Sequence, residues 1–343
     1  MLAVPSALAV ITARRDLTFW ITMVFILFVF LIGFRFNVGM DWSNYESAHA
    51  SISRQPLLDM LLHPEPASNL LFWVSANLGL GSLLSNVVAA SILMVGVLSF
   101  ARQTRNPWIA VVAATPYLII AFGMSGIRQA MASGIVLFAL ANWDRPTLIG
   151  KSAWMIVASL FHTSALLGVL LVLWETHIRL TYKIALAVIV SGAVYFVSGI
   201  ADLYEGNWQF YQDAYLGGVG SIASPGALFH IALIALPAAI FVLNRRKISA
   251  LLPCSHLLWS GVWMTGAVAI LFTVSTTAAS RLTLYLYFVP MLTYAALPAI
   301  VTRQHRDAIV GGILLFHFAV LASWLFFANN SSAHIPYRNL LFQ

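Results

Sequence analysis

From Leu17 to Phe34 the chain carries no charged side chain, and comparable apolar runs recur almost to the C-terminus. In water such segments would have to be buried on every face, whereas a bilayer accepts an all-round apolar helix of about 20 residues with its backbone hydrogen bonds satisfied internally. Only 8% of the 343 residues are charged and 61% are hydrophobic, against roughly a quarter charged in an average soluble domain. An ordinary soluble enzyme is therefore excluded. At about 20 apolar residues per crossing, the length predicts one all-α polytopic membrane domain over 1–343, with about 9–11 transmembrane helices plus re-entrant or short helices. The formal charge of +7 would suggest nucleic acid for a soluble protein. Here basic residues orient helices instead, and no nucleic-acid partner is implied. The single cysteine, Cys254, allows no internal disulfide and no thiolate metal centre.

Charge placement predicts the topology. Basic clusters stand at Arg14 with Arg15, Arg102 with Arg105, Arg145 with Lys151, Arg179 with Lys183, Arg245 to Lys247, and Arg303 with Arg306. The positive-inside rule puts all of these in the cytoplasm. Crossings then fall at 17–34, 83–100, 108–122, 126–142, 184–200, 227–243, 251–274, 282–301 and 308–328, with the N-terminus cytoplasmic. Residues 67–81 must leave the parity unchanged and read as a lateral or re-entrant helix. Residues 152–174 run between two basic segments and read as a re-entrant hairpin turning near Phe161-His162-Thr163. A single tilted helix is the alternative, and it would place one basic cluster outside.

The remaining basic residues, Arg35, Arg54, Arg128, Arg281 and Arg338, fall on the outer side, against the rule, which suits the gripping of an anion. Outer loops are expected at about 35–66 and 201–226, with an external tail at 329–343. The first loop carries Asp41, Tyr45, Glu46, His49, Asp59, His63 and Glu65. The second joins acids to Tyr204, Trp208, Phe210, Tyr211 and Tyr215. Rings beside carboxylates suit carbohydrate; an interfacial aromatic belt is the competing reading.

Three ionisable residues sit in or at the mouth of apolar stretches, where their cost makes a functional role the default. Arg128 opens a helix rich in Gly, Ala and Ser. His162 lies at the predicted hairpin turn. Arg281 precedes Tyr285 by one helical turn, on the same face. Snorkelling of the arginines and a hydrogen-bonded helix tie for the histidine compete with that role. Guanidinium groups bind phosphate bidentately, so a lipid-linked phosphate or pyrophosphate is the expected guest. A carboxylate or neutral imidazole beside it could take a proton from a sugar hydroxyl.

The same residues resemble the EpsG-like branch of the Wzy-type polysaccharide polymerases. FRFNVGMDWSNYE is similar to that family's Arg, Val-Gly-x-Asp and Tyr. HPEPASNLLF resembles its Glu-Pro segment, SGIRQAMASGIVLFAL its Arg-Gln helix, and ASLFHTSALL its Phe-His-x-Ser-Ala; the Arg281 to Tyr285 pair and Pro336-Tyr337 follow in order. Met40 departs from the pattern, standing where a small or hydroxyl residue is more usual. The resemblance implies a GT-C-like or Wzy-type bundle in the bacterial inner membrane. It implies joining of undecaprenyl-pyrophosphate-linked oligosaccharide donor and acceptor on the periplasmic face, beside the lipid bilayer and with a chain-length regulator as a further partner. The mechanism expected on these residues is an inverting transfer without cofactor or metal. His162 is favoured as base, with Asp41 and Glu65 as rivals. Arg128 and Arg281 would clamp pyrophosphate, with Arg35 as support or as partner to Asp41. Substrate-binding candidates are Tyr45, Gln129, Tyr285, Tyr337 and Arg338. An O-antigen ligase uses the same donor chemistry and is the nearest alternative; a lipid-linked oligosaccharide flippase and a membrane O-acyltransferase are the others.

Overall fold

The charge-poor runs become helices because helix is the only way such a run can satisfy its own backbone in lipid. The computed structural model describes residues 1–11, 17–144, 147–176, 178–179, 181–192, 226–252, 254–273 and 275–342. The aromatic loop expected at 201–226 lies outside these residues except for Gly226, as do Arg14, Arg15 and Arg145. Helices α1 (Ala3–Ile11) and α2 (Leu17–Gly33) lead to a short group, α3 (Trp42–Ile52), α4 (Leu57–Leu62) and α5 (Pro66–Asn77). Then come α6 (Leu83–Arg102), α7 (Pro107–Ala114), α8 (Ile127–Ala141), α9 (Leu148–Ser159), α10 (Val169–Glu175) and α11 (Thr181–Gly192). The last helices are α12 (Ala227–Leu243), α13 (Arg245–Leu251), α14 (Ser255–Leu271), α15 (Thr276–Leu282), α16 (Phe288–Ile300) and α17 (Arg306–Phe327). Among the described residues no strand forms beyond an isolated bridge between Arg35 and Asn339. The protein is an all-α membrane protein.

By length and apolar composition, α6 and the Arg303–Phe327 segment could each cross a bilayer alone. Two bent pairs raise this to four, α12 with α13 at 93° and the segment Thr276–Leu286 with α16 at 48°. The other apolar runs are shorter helices. One break has a visible cause: Pro116 lacks an N–H, and the chain beyond α7 widens into π-helix over Thr115–Phe122.

The core forms where α6 crosses α8. A Cβ on Gly96 would meet the Gly134 carbonyl, and one on Gly134 would meet the Ile92 carbonyl and Leu93 Cα. Small residues let the two backbones touch, which fixes α8 and the arginine at its start. Helix α2 packs on α6 in turn, with Gly33 against Val87.

Residues 152–174 enter and return. In one continuous helix Lys151 and Trp174 would lie ~35 Å apart, yet both line a single cleft. Helix α9 stops at Ser159, a 3-10 turn occupies Thr163–Gly168, and α10 runs back against α9 with Met155 seated on Gly168. His162 stands at the turn. Helix α5, near the same end, turns back into α6 through Gly79 and Gly81, both at positive φ.

A C-terminal strap closes this end. Gly39 N–H donates to the Ala333 carbonyl at 2.8 Å, Phe36 N–H to Arg338 at 3.0 Å, and Leu340 N–H to Phe34 at 2.9 Å. The His334 ring meets the Ser125 hydroxyl at 3.2 Å.

Candidate functional site

Glu65 caps no backbone of its own helix; its carboxylate instead gathers groups from two other places, the hairpin turn and the start of α8. Oε1 lies 2.9 Å from His162 Nδ1 and accepts from the Thr163 N–H at 3.0 Å and its hydroxyl at 3.3 Å. Oε2 accepts from Arg128 Nη1 at 3.3 Å. Burial alone would push the Glu65 carboxyl up, but the His162 ring, the Arg128 guanidinium and the Thr163 N–H outweigh it and hold it below the usual carboxylate range. Glu65 is therefore an anion that orients its neighbours. A neutral imidazole that donates from Nδ1 to this carboxylate keeps Nε2 as an acceptor. The Ser164 N–H also points at Nδ1, but at 3.4 Å it is the weaker contact. Arg128 lies over the buried Phe72 ring at 5.3 Å, which fixes its plane.

Ser164 ties this group to the next. Its hydroxyl is 2.9 Å from the Tyr285 hydroxyl and 3.5 Å from Gln129 Nε2. Tyr285 follows Arg281 across the junction from α15 into a 3-10 turn at Thr283–Leu286. His162, Ser164, Arg281 and Tyr285 together line the polar end of a cavity of about 350 Å³. Its other walls are apolar apart from Ser191 of α11, and come from Leu167 and Leu171 of the hairpin, Met264, Val268 and Leu271 of α14, and Leu282. A charged head and an apolar slot share one space.

Asp41 is delivered from the opposite side. Gly39 sits at φ 112°, and a Cβ there would meet the Met124 carbonyl, so only glycine lets this loop lie against the entry to α8. The Met40 N–H donates to Ser125 Oγ at 3.2 Å while its side chain is exposed, which explains why a methionine is tolerated there. Burial pushes the Asp41 carboxyl up, and the charges of Arg281 and Arg128 oppose that. Those two arginines, rather than Arg35, are its electrostatic partners. Burial, reinforced by the Asp41 charge, raises the Tyr45 hydroxyl, whose ring packs edge-on to Phe72 at 5.6 Å.

Three predicted residues lie elsewhere. Arg35 is 1% exposed and donates to the carbonyls of Val38 (3.1 Å) and Ile32 (2.7 Å). It staples the end of α2 to the loop through backbone carbonyls, where the sequence suggested support for a pyrophosphate clamp or a pairing with Asp41. Burial lowers it to about 10, still a cation at neutral pH. Tyr337 donates to the Leu31 carbonyl at 2.6 Å and accepts from Asn339 at 3.0 Å. Arg338 is exposed, and its carbonyl holds Phe36. Both belong to the strap rather than to the cavity. Sequence reasoning missed Thr163 and Ser164, which link the acidic group to the tyrosine; their place in the Phe-His-x-Ser-Ala segment was the available signal.

The model of the EpsG family matches residues 18–339, nearly the whole chain. The chain belongs to the EpsG family. Membership suggests a polysaccharide polymerase-type membrane glycosyltransferase, and the EpsG match covers every residue of the cluster around Glu65. No curated protein and no solved structure matches this EpsG-family chain.

Proposed function

We propose that this EpsG-family chain is a bacterial polysaccharide polymerase that joins undecaprenyl-pyrophosphate-linked repeat units on the periplasmic face of the inner membrane. What supports the reading is one arrangement: His162, anchored by Glu65, stands at the mouth of an apolar cavity whose polar end also holds Arg281. The slot takes the first part of a prenyl chain, and the cationic end takes its pyrophosphate.

In the proposed step an acceptor sugar hydroxyl attacks the anomeric carbon of the donor and inverts it. The new C–O bond forms as the bond to the pyrophosphate oxygen breaks; the hydroxyl proton passes to His162 Nε2, and the bonding pair leaves on the pyrophosphate. Arg281 and Arg128 stabilise that charge. Preorganised cations of this kind supply much of the rate enhancement in such transfers. Glu65 holds the imidazole in the tautomer the step needs, Tyr285 and Gln129 position oxygens through Ser164, and Asp41 with Tyr45 borders the acceptor side. No metal enters the step.

Purified protein in liposomes, given a lipid-pyrophosphate-linked repeat unit from its host, tests this. Elongation to dimers and longer chains with an inverted anomeric centre by NMR is expected. Arg281→Lys should slow it by about 10²-fold or more, since an ammonium cannot reproduce the bidentate contact. Retained anomeric configuration, or no elongation by wild type, overturns the proposal.

A further inference from the structure

At the end of the bundle away from His162, the start of α9, the end of α10 and the start of α14 enclose a second cleft. It measures about 490 Å³ and is lined by Asp144, Lys151, Trp174, His256, Trp259 and Ser260. One hairpin arm, ~18 Å of helix, separates it from the site above, so it has no part in the transfer. Lys151 is only 8% exposed, and its ammonium lies 4.7 Å over the Trp143 ring. Asp144 is 63% exposed at its side chain and faces His256 Nε2 at 3.5 Å. Lys183 donates to the Trp174 carbonyl at 2.8 Å and lies 5.4 Å over that ring. Trp263, 57% exposed, lies outside the lining and packs 5.5 Å from Trp174.

The charges are of both signs, and that selects the guest. A purely anionic ligand drawn to Lys151 would meet the Asp144 carboxylate, and a purely cationic one would meet the lysine. A group holding a phosphate and an ammonium a few ångströms apart satisfies both. Indole faces favour a cation, and tryptophans beside basic residues at a helix end mark headgroup depth. The exposed Trp263 ring beside Trp174 offers an apolar surface against which acyl chains can lie.

We propose that this cleft binds the phosphoethanolamine headgroup of a glycerophospholipid in the leaflet at the basic end, with its phosphate on Lys151 and its amine toward Asp144. This does not depend on the function proposed above. Native mass spectrometry of delipidated protein in detergent, titrated with phosphatidylethanolamine, with phosphatidylglycerol of the same chains, and with inorganic phosphate, tests it. Wild type should retain the ethanolamine lipid about tenfold more tightly than the glycerol lipid. Asp144→Asn, at an exposed position, should bring that ratio to about one, and Lys151→Gln should weaken both lipids about tenfold. Equal retention of the two lipids by wild type, or an unchanged ratio in Asp144→Asn, overturns it. So does displacement of bound lipid by inorganic phosphate, which would make the cleft a free-anion site.

Discussion

The Glu65 carboxylate accepts from Thr163, faces His162 and pairs with Arg128, so Glu65→Gln strips charge from a buried group that two side chains use. Breaking such a pair costs about 3–5 kcal/mol, and a misdirected imidazole should slow elongation about 10²-fold or more; thermal unfolding in detergent and a rate assay check the two separately. A carboxyl held below its usual range contributes stability that is present above its unfolded value and lost only as pH falls through the depressed folded value. Infrared difference spectra, wild type minus Glu65→Gln, should therefore still show an ionised carboxylate at about pH 4, where an ordinary glutamate (about 4.3) is largely protonated; a protonated band there contradicts the assignment. Arg35→Ala should behave differently. It abandons the Ile32 and Val38 carbonyls at about 1–3 kcal/mol each, lowering the unfolding midpoint while leaving donor KM unchanged. A raised KM with unchanged stability would restore an anion-binding role. Arg128, His162 and Arg281 stand out in the sequence because an ionisable group in an apolar run is costly. Ser164 and Thr163 do not, since hydroxyls are common in such helices, and the backbone contacts of Arg35 are not visible there because sequence does not say whether a guanidinium meets a ligand or a carbonyl.

Helix α8 carries Arg128 to the site, and its contact with α6 has no spare room at Gly134. Gly134→Ala should cost about 1–3 kcal/mol through overpacking and reduce elongation by shifting the start of α8. Gly266→Ala in α14, where an added Cβ meets nothing within 4 Å, is the matched control and should be neutral within about 1 kcal/mol. Equal effects of the two on the unfolding midpoint would count against the close crossing. The turn of the hairpin at His162 was readable from charge parity, because a chain that starts and ends among basic residues has to return. Pro116 marks the break before the π-helical stretch at Thr115–Phe122, but the extent of that stretch and the 93° bend between α12 and α13 were not readable. Those depend on how neighbouring helices pack, which no local pattern encodes.

Across the whole molecule, the arginines of α8 and α15, the hairpin turn and the loop after α2 converge although they are far apart in sequence. Charge parity alone could not pair them, since pairing needs the α6–α8 crossing and the strap from the C-terminal tail. One consequence at this scale is metal independence: with cations, imidazole and carboxylate all supplied by side chains, EDTA should leave elongation unchanged. Loss of activity that Mg²⁺ or Mn²⁺ restores would contradict it. The most direct measurement is mass spectrometry of lipid-linked saccharides from a host lacking this chain, complemented with wild type or with His162→Ala. The predicted result is accumulation of a single pyrophosphate-linked repeat in the deletion strain, cleared by wild type and not by the variant. Long lipid-linked chains persisting in the deletion strain would show that polymerisation lies with another protein.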